Sequence, residues 1–245
     1  MKRRLLLLAC ALFLVVGTNA QNKITVAVAA NMQYAIEALK TAFNKHYKVQ
    51  IDVVLGASGK LTQQIIAGAP FDIFISADTA FPAKVQAAGL AVAGPMNYAQ
   101  GILVLWSARA DIKPDIQMLT SRTVRHIAIA NPATAPYGTA AMNVMKKYQL
   151  YDKVAGKIVT GESITQASQY IASGNAEIGF TAKAIVISDA MKGKGHWVEI
   201  RQQDYAPIRQ AAVLLKKGPA AAAFYAFLFS AEAKKVFEQF GYIVR

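Results

Sequence analysis

The segment ITVAVAANMQYAIEAL, Ile24 to Leu39, constrains this chain more than any other. It opens as a Val- and Ile-rich run of the kind buried on both faces of a parallel sheet. It then turns through Ala29-Ala30-Asn31 into Met32, Ala35, Ile36, Leu39 and Phe43, which share one face of a 3.6-residue period. Asn31 is expected near the N-cap of that helix. A strand that turns this tightly into a helix leaves backbone N–H groups without intrahelical partners. They lie at the positive end of the helix dipole, a place that attracts anions.

The same pattern recurs. Val49 to Leu55 is a second β-branched run, broken by Gly56-Ala57-Ser58-Gly59 before a helix through Leu61, Ile65 and Ile66. Strands are expected at Phe71–Ser76, Gly101–Ser107, His126–Ala130, Lys157–Thr160, Glu177–Thr181 and Gln210–Leu215. Helices are expected at Phe81–Ala88, after Pro136-Tyr137-Gly138, from Ser163, from Thr181 to about Met191, from Pro219 and from Ser230. Strand and helix alternate almost throughout, which predicts an α/β fold with mainly parallel sheets. No Pro/Gly/Ser linker divides the chain into sequential domains, so two lobes require the chain to cross between them and return.

Lys2, Arg3 and Arg4 precede the apolar run Leu5–Val16, and Thr18-Asn19-Ala20 offers a small-x-small cleavage pattern. Residues 1–20 therefore read as a secretory signal peptide cleaved after Ala20, too short to span a bilayer. Cys10, after Leu7-Leu8-Ala9, faintly resembles a lipoprotein box but comes too early. It is the only cysteine, so the exported chain is held by its core without disulfides. The formal charge of +13, three units of it in the leader, admits nucleic acid, a membrane surface or small anions as partners. The basic residues are scattered, the densest group being Lys192, Lys194 and His196 between glycines. No aromatic-and-basic interleaving suggests nucleic acid.

Four strand-to-helix turns carry the candidate chemistry: Ala29-Ala30-Asn31, Ala57-Ser58-Gly59, Pro136-Tyr137-Gly138 and Gly161-Glu162-Ser163-Ile164. In α/β folds such turns gather at one sheet edge, where ligands bind. Each alone is also what any βα unit needs for capping. Catalytic readings fare worse. Gly56-Ala57-Ser58-Gly59-Lys60 has the wrong spacing for a phosphate loop. His46, His126 and His196 lack ligand spacing. Asp72 and Asp78 flank one strand and suit packing and hydrogen bonding better than acid–base work. Ser58 has no evident His partner, so no catalytic residue is assigned.

The motifs ITVAVAANM, LGASGKLTQQI, GAPFDIFISAD, NPATAPYG, GESITQA and SAEAKKVFEQFGY together resemble the periplasmic molybdate-binding proteins of ABC importers. The resemblance covers essentially the whole chain after the leader. It implies a two-lobed type II periplasmic binding-protein fold with the ligand cleft between lobes. Residues 21–99 with 207–245 would form lobe 1, and 100–206 lobe 2. The implied oxyanion contacts fall on Asn31, Ser58, Tyr137 and Ile164, the first two donating from side chain and backbone, the others mainly from backbone N–H. Some relatives add a tyrosine hydroxyl where this sequence has Ala182, and most have serine where it has Asn31. The implied protein is a periplasmic monomer that captures molybdate, and tungstate, and delivers it to a transmembrane permease. It needs no cofactor, and molybdenum enters only as bound molybdate. Sulfate or phosphate on the same fold, or an exported hydrolase using Ser58 or the two aspartates, are the alternatives.

The chemistry of a dianion agrees with that resemblance. A fully ionised tetrahedral oxyanion only accepts hydrogen bonds, whereas protonated phosphate also needs an acceptor. None of the four turns carries an Asp, and only Glu162 is close. Lys60 offers long-range attraction at most, or is simply a solvated helix residue.

Overall fold

A computed structural model describes residues 23–244. The signal peptide, its cleavage after Ala20, and Cys10 lie outside those residues. In chain order the elements are β1 (Lys23–Ala29), α1 (Ala35–Asn44), β2 (Gln50–Gly56), α2 (Ser58–Ile66), β3 (Ile73–Ile75), α3 (Ala80–Ala87), β4 (Ala93–Gly101) and β5 (Leu103–Ser107). There follow β6 (Ile127–Ala130), α4 (Pro136–Lys147), α5 (Tyr151–Val154), β7 (Ile158–Gly161), α6 (Ile164–Ala172), β8 (Ile178–Ala182) and α7 (Lys183–Val186). The last are β9 (His196–Glu199), β10 (Ile208–Leu214), α8 (Pro219–Phe227) and α9 (Ala231–Gln239).

Two five-stranded sheets form, in the orders β2-β1-β3-β10-β4 and β7-β6-β8-β5-β9. In the first, β1 runs parallel to β2 and β3, while β10 is antiparallel to β3 and β4. In the second, β6 runs parallel to β7 and β8, while β5 is antiparallel to β8 and β9. The antiparallel members have a common origin. The chain passes from the first sheet to the second at Ile102 and returns between β9 and β10. A strand that enters a sheet from the other lobe starts at the edge where its βα neighbours end, so it must run against them. Each sheet is therefore mixed, with helices flanking it and parallel strands supplying the helix starts.

Both lobes have their own apolar core. In the first, β1 buries Val26 and Val28, and α1 turns Ile36, Leu39 and Phe43 inward. The Phe43 ring packs edge-on against Phe224 and Phe227 of α8, with centroids 5.0 and 5.4 Å apart. Rings buried this way each add about 0.5–1.5 kcal/mol beyond their area. In the second, Ile127, Ile129, Val144, Met145, Ile178 and Phe180 form the centre. Among the described residues no helix is long and apolar enough to cross a membrane.

Four local expectations change. Gly101–Ser107 is not one strand: Gly101 ends β4, and β5 begins at Leu103 after the chain changes sheets. The β4 stretch AGPMNYAQG mixes Gly, Pro and exposed Met96 and Asn97, so its strand character comes from pairing with β10 rather than from its own pattern. The helix expected to reach Met191 stops at Val186, where the Ser188 hydroxyl donates back to the Ile185 carbonyl (2.7 Å). His196–Glu199, where no strand is expected from the sequence, is the exposed edge strand of the second sheet.

Candidate functional site

The four turns converge. Asn31, Ser58, Tyr137 and Ile164 all line one small cavity, together with Ala57, Ala77 and Ala135. None of the residues that line it carries a charged side chain. Asn31 and Ser58 come from the ends of β1 and β2, and Tyr137 and Ile164 from those of β6 and β7, so both lobes contribute.

Local chemistry explains each position. Ala57 is the N-cap of α2, which places the Ser58 amide in the first turn, where no intrahelical carbonyl is available. The Ala77 N–H donates to Ser58 Oγ (3.0 Å), which fixes the oxygen and leaves the hydroxyl proton to be given away. Pro136 opens α4 with its fixed φ, and the Tyr137 amide follows it. Ser163 caps α6 by accepting from the Gln166 N–H (3.3 Å), leaving the Ile164 amide in the first turn. Three helix starts and one 3-10 turn thus border one space that no charged side chain lines.

Asn31 departs from expectation. It does not cap α1, whose N-cap is Tyr34; it sits inside a 3-10 turn, Ala30–Met32. Its buried side chain instead joins a polar network, donating from Nδ2 to Gln210 Oε1 (3.0 Å) and to the Tyr242 hydroxyl (2.9 Å). Gln210 Nε2 donates in turn to the Tyr137 hydroxyl (3.1 Å), across the lobes. The Tyr98 hydroxyl lies 2.7 Å from Gln210 Oε1. Burial pushes the Tyr137 hydroxyl well above its ordinary range.

The lobes touch directly over the cavity. The Gly59 N–H donates to the Thr134 carbonyl (2.9 Å), and Thr165 Oγ1 donates to Gln33 Oε1 (3.0 Å) beside Ala30. A Cβ at Gly59 would lie 2.8 Å from the Phe81 ring and 2.9 Å from Thr134 Cα, so glycine permits this approach. Outside it, Lys60 and Glu162 are exposed and line a polar cleft shared by the two lobes.

The remaining candidates lie elsewhere. Asp72 accepts from the Thr25 N–H (2.7 Å), tying β1 to the start of β3. Asp78 accepts from the Phe81 N–H (3.0 Å) at the head of α3, and burial raises its carboxyl above the usual range. His46 contacts Glu232, His126 neighbours Glu177, and His196 contacts the Ala110 carbonyl. Ala182 is buried at the end of β8 and is not among the cavity-lining residues. Among the described residues, no three His, Cys, Asp or Glu gather into a metal-sized cluster.

Comparison with known proteins decides the family. Residues 24–243 match the bacterial extracellular solute-binding protein family. The chain is 40% identical over 242 residues to the molybdate-binding protein ModA of Rhodobacter capsulatus, covering 96% of this chain and 95% of that one. It is 40% identical over 225 residues to ModA of Azotobacter vinelandii, covering 90% and 89%. The chain belongs to the bacterial extracellular solute-binding proteins. Its fold matches the solved periplasmic molybdate-binding protein of Azotobacter vinelandii with a TM-score of 0.86 and 34% identity, over 91% of this chain and 99% of that one. A two-lobed binding-protein fold is therefore established for this family member.

Within that frame, three residues around the cavity escaped the sequence reading: Gln210, Tyr98 and Tyr242. One signal was available. Gln210 is a long polar residue in the strand IRQAAVL and, unlike its exposed neighbour Arg209, it is fully buried. A buried polar side chain in a strand demands partners.

Proposed function

We propose that this protein captures molybdate in the periplasm, closes its two lobes over it, and presents it to the permease of an ABC importer. One observation carries the proposal: four strand-to-helix turns from two lobes meet at one cavity with no charged side chain. In this reading the ligand residues are Asn31, Ser58, Tyr137 and Ile164. Ser58 gives its hydroxyl proton and amide, Asn31 its side chain and amide, and Tyr137 and Ile164 their first-turn N–H groups. Neutral donors bind a dianion without leaving a buried, unpaired cation when the cavity is empty. Lobe 1 is taken as residues 21–99 with 207–245 and lobe 2 as 100–206, hinged where the chain crosses between sheets. The protein acts as a monomer and carries out no catalysis.

Tungstate has the same charge and shape and is expected to bind as well. Sulfate differs in radius alone. Phosphate near neutral pH keeps a proton, and no carboxylate lines the cavity to accept it. Calorimetry with molybdate, tungstate, sulfate and phosphate tests this. Molybdate and tungstate should bind tightly and raise Tm, and phosphate should not bind. Absence of any response to excess molybdate would overturn the proposal, and tighter binding of sulfate would reassign the ligand.

A further inference from the structure

Asn31 Oδ1 is buried and has no hydrogen-bond partner, although both protons of the same amide are taken by Gln210 and Tyr242. An orphaned acceptor on a residue that lines a cavity calls for an explanation. A carbonyl oxygen is the wrong group to offer a dianion, which can only accept.

The surrounding network contains the remedy. A half-turn of an amide exchanges its nitrogen and oxygen with almost no change of shape. Asn31 cannot turn alone, because its oxygen would then oppose Gln210 Oε1 at the present 3.0 Å contact. If Gln210 turns with it, every side-chain contact survives, and only the bond from the Tyr242 hydroxyl to the Asn31 backbone carbonyl (3.1 Å) gives up its proton, to Asn31 Oδ1. Gln210 then donates to Asn31 Oδ1 and to the Tyr98 hydroxyl, whose own proton goes to the Ser76 carbonyl, 3.0 Å away. Tyr242 donates to Asn31, and Tyr137 donates to Gln210 instead of accepting from it. The Asn31 NH2 then occupies the place of the orphaned oxygen. Gly101 keeps room for this coupling, since a Cβ there would collide with the Tyr137 hydroxyl and lie 2.5 Å from Gln210 Nε2.

We infer that Gln210 is a positioning residue that sets the sense of the Asn31 amide, so that a bound oxyanion meets an NH2 donor, and that the two amides turn as one unit. This rests on the oxyanion reading of the cavity.

A double-mutant cycle with sodium molybdate tests it, using wild type, Gln210→Met, Asn31→Ser and the pair, each measured by calorimetry. A serine hydroxyl donates without needing an amide to be turned. Gln210→Met should therefore weaken molybdate binding about tenfold or more beside Asn31, and less than about threefold beside serine. Equal losses in both backgrounds would mark a merely structural role and overturn the inference. Side-chain 15N amide spectra of the wild-type protein supply a readout that does not depend on any variant folding. Molybdate should shift the Asn31 and Gln210 NH2 signals together; a silent Gln210 overturns the inference while leaving molybdate capture intact. Wild-type protein that ignores molybdate overturns the function itself and this inference with it.

Discussion

The two lobes repeat one plan and use it differently. Each sets parallel strands beside an antiparallel strand by which the chain crosses, and each sends two helix or turn starts to the cavity. The first lobe adds side chains held by long-range bonds: Ser58 by the Ala77 amide, Asn31 by Gln210 and Tyr242. The second brings backbone amides, with Ser163 spent on capping α6 and the Tyr137 hydroxyl facing Gln210. The difference teaches a division of labour. Under the proposed function, side-chain donors in the first lobe would discriminate among anions, while the second lobe would close with backbone groups that mutation cannot easily alter.

That division can be attacked most strongly at Asn31. Asn31→Asp keeps the shape but places a carboxylate against the dianion, and should weaken molybdate binding by at least about a hundredfold in a calorimetric titration. Ser58→Ala removes one donor and strands the Ala77 N–H. A loss of roughly ten- to a hundredfold in affinity is expected, with about 1–3 kcal/mol of stability lost in denaturant unfolding. Gly59→Ala tests the second lobe's part by pushing against Phe81 and the Thr134 backbone. It should cost about tenfold in affinity, since overpacking costs about 1–3 kcal/mol. Scattering should then show a more open ligand-bound shape; unchanged affinity would mean the lobes need not approach this closely.

The smallest effect concerns acid. Asp204, beside the chain's return to the first lobe, binds Lys147 (2.8 Å), Tyr148 (2.7 Å) and Arg201 (3.0 Å). The Lys147 contact first, then Tyr148 and Arg201, hold its carboxyl well below the usual range. A depressed carboxyl contributes stability that is complete above the unfolded value, about 4, and is lost as pH falls toward the folded one. Tm should therefore drop more steeply below about pH 4 in wild type than in Asp204→Asn, with molybdate affinity at neutral pH unchanged.

What was legible in the sequence follows the range of the interactions. Pro136 at the head of α4, Ser163 as a cap and Ala57-Ser58-Gly59 as a strand end act within a few residues, so their turns could be read directly. The alternation of strand and helix gave the α/β class for the same reason. The site's polar frame is different. Asn31 meets Gln210 and Tyr242 across 179 and 211 residues, and no local pattern encodes such a meeting. Strand β4 was missed because it pairs with β10, more than a hundred residues later. The helix after β8 was overextended because Ser188 competes for the backbone, which apolar periodicity does not register.

A cavity walled by amides, alanines and one shielded phenol has nothing to titrate between acid and mild base. On the proposed reading, the protein's own side of the binding equilibrium is thus indifferent to the acidity of its surroundings. Whatever proton enters the equilibrium must arrive on the anion, and the protein reads it there as a misfit.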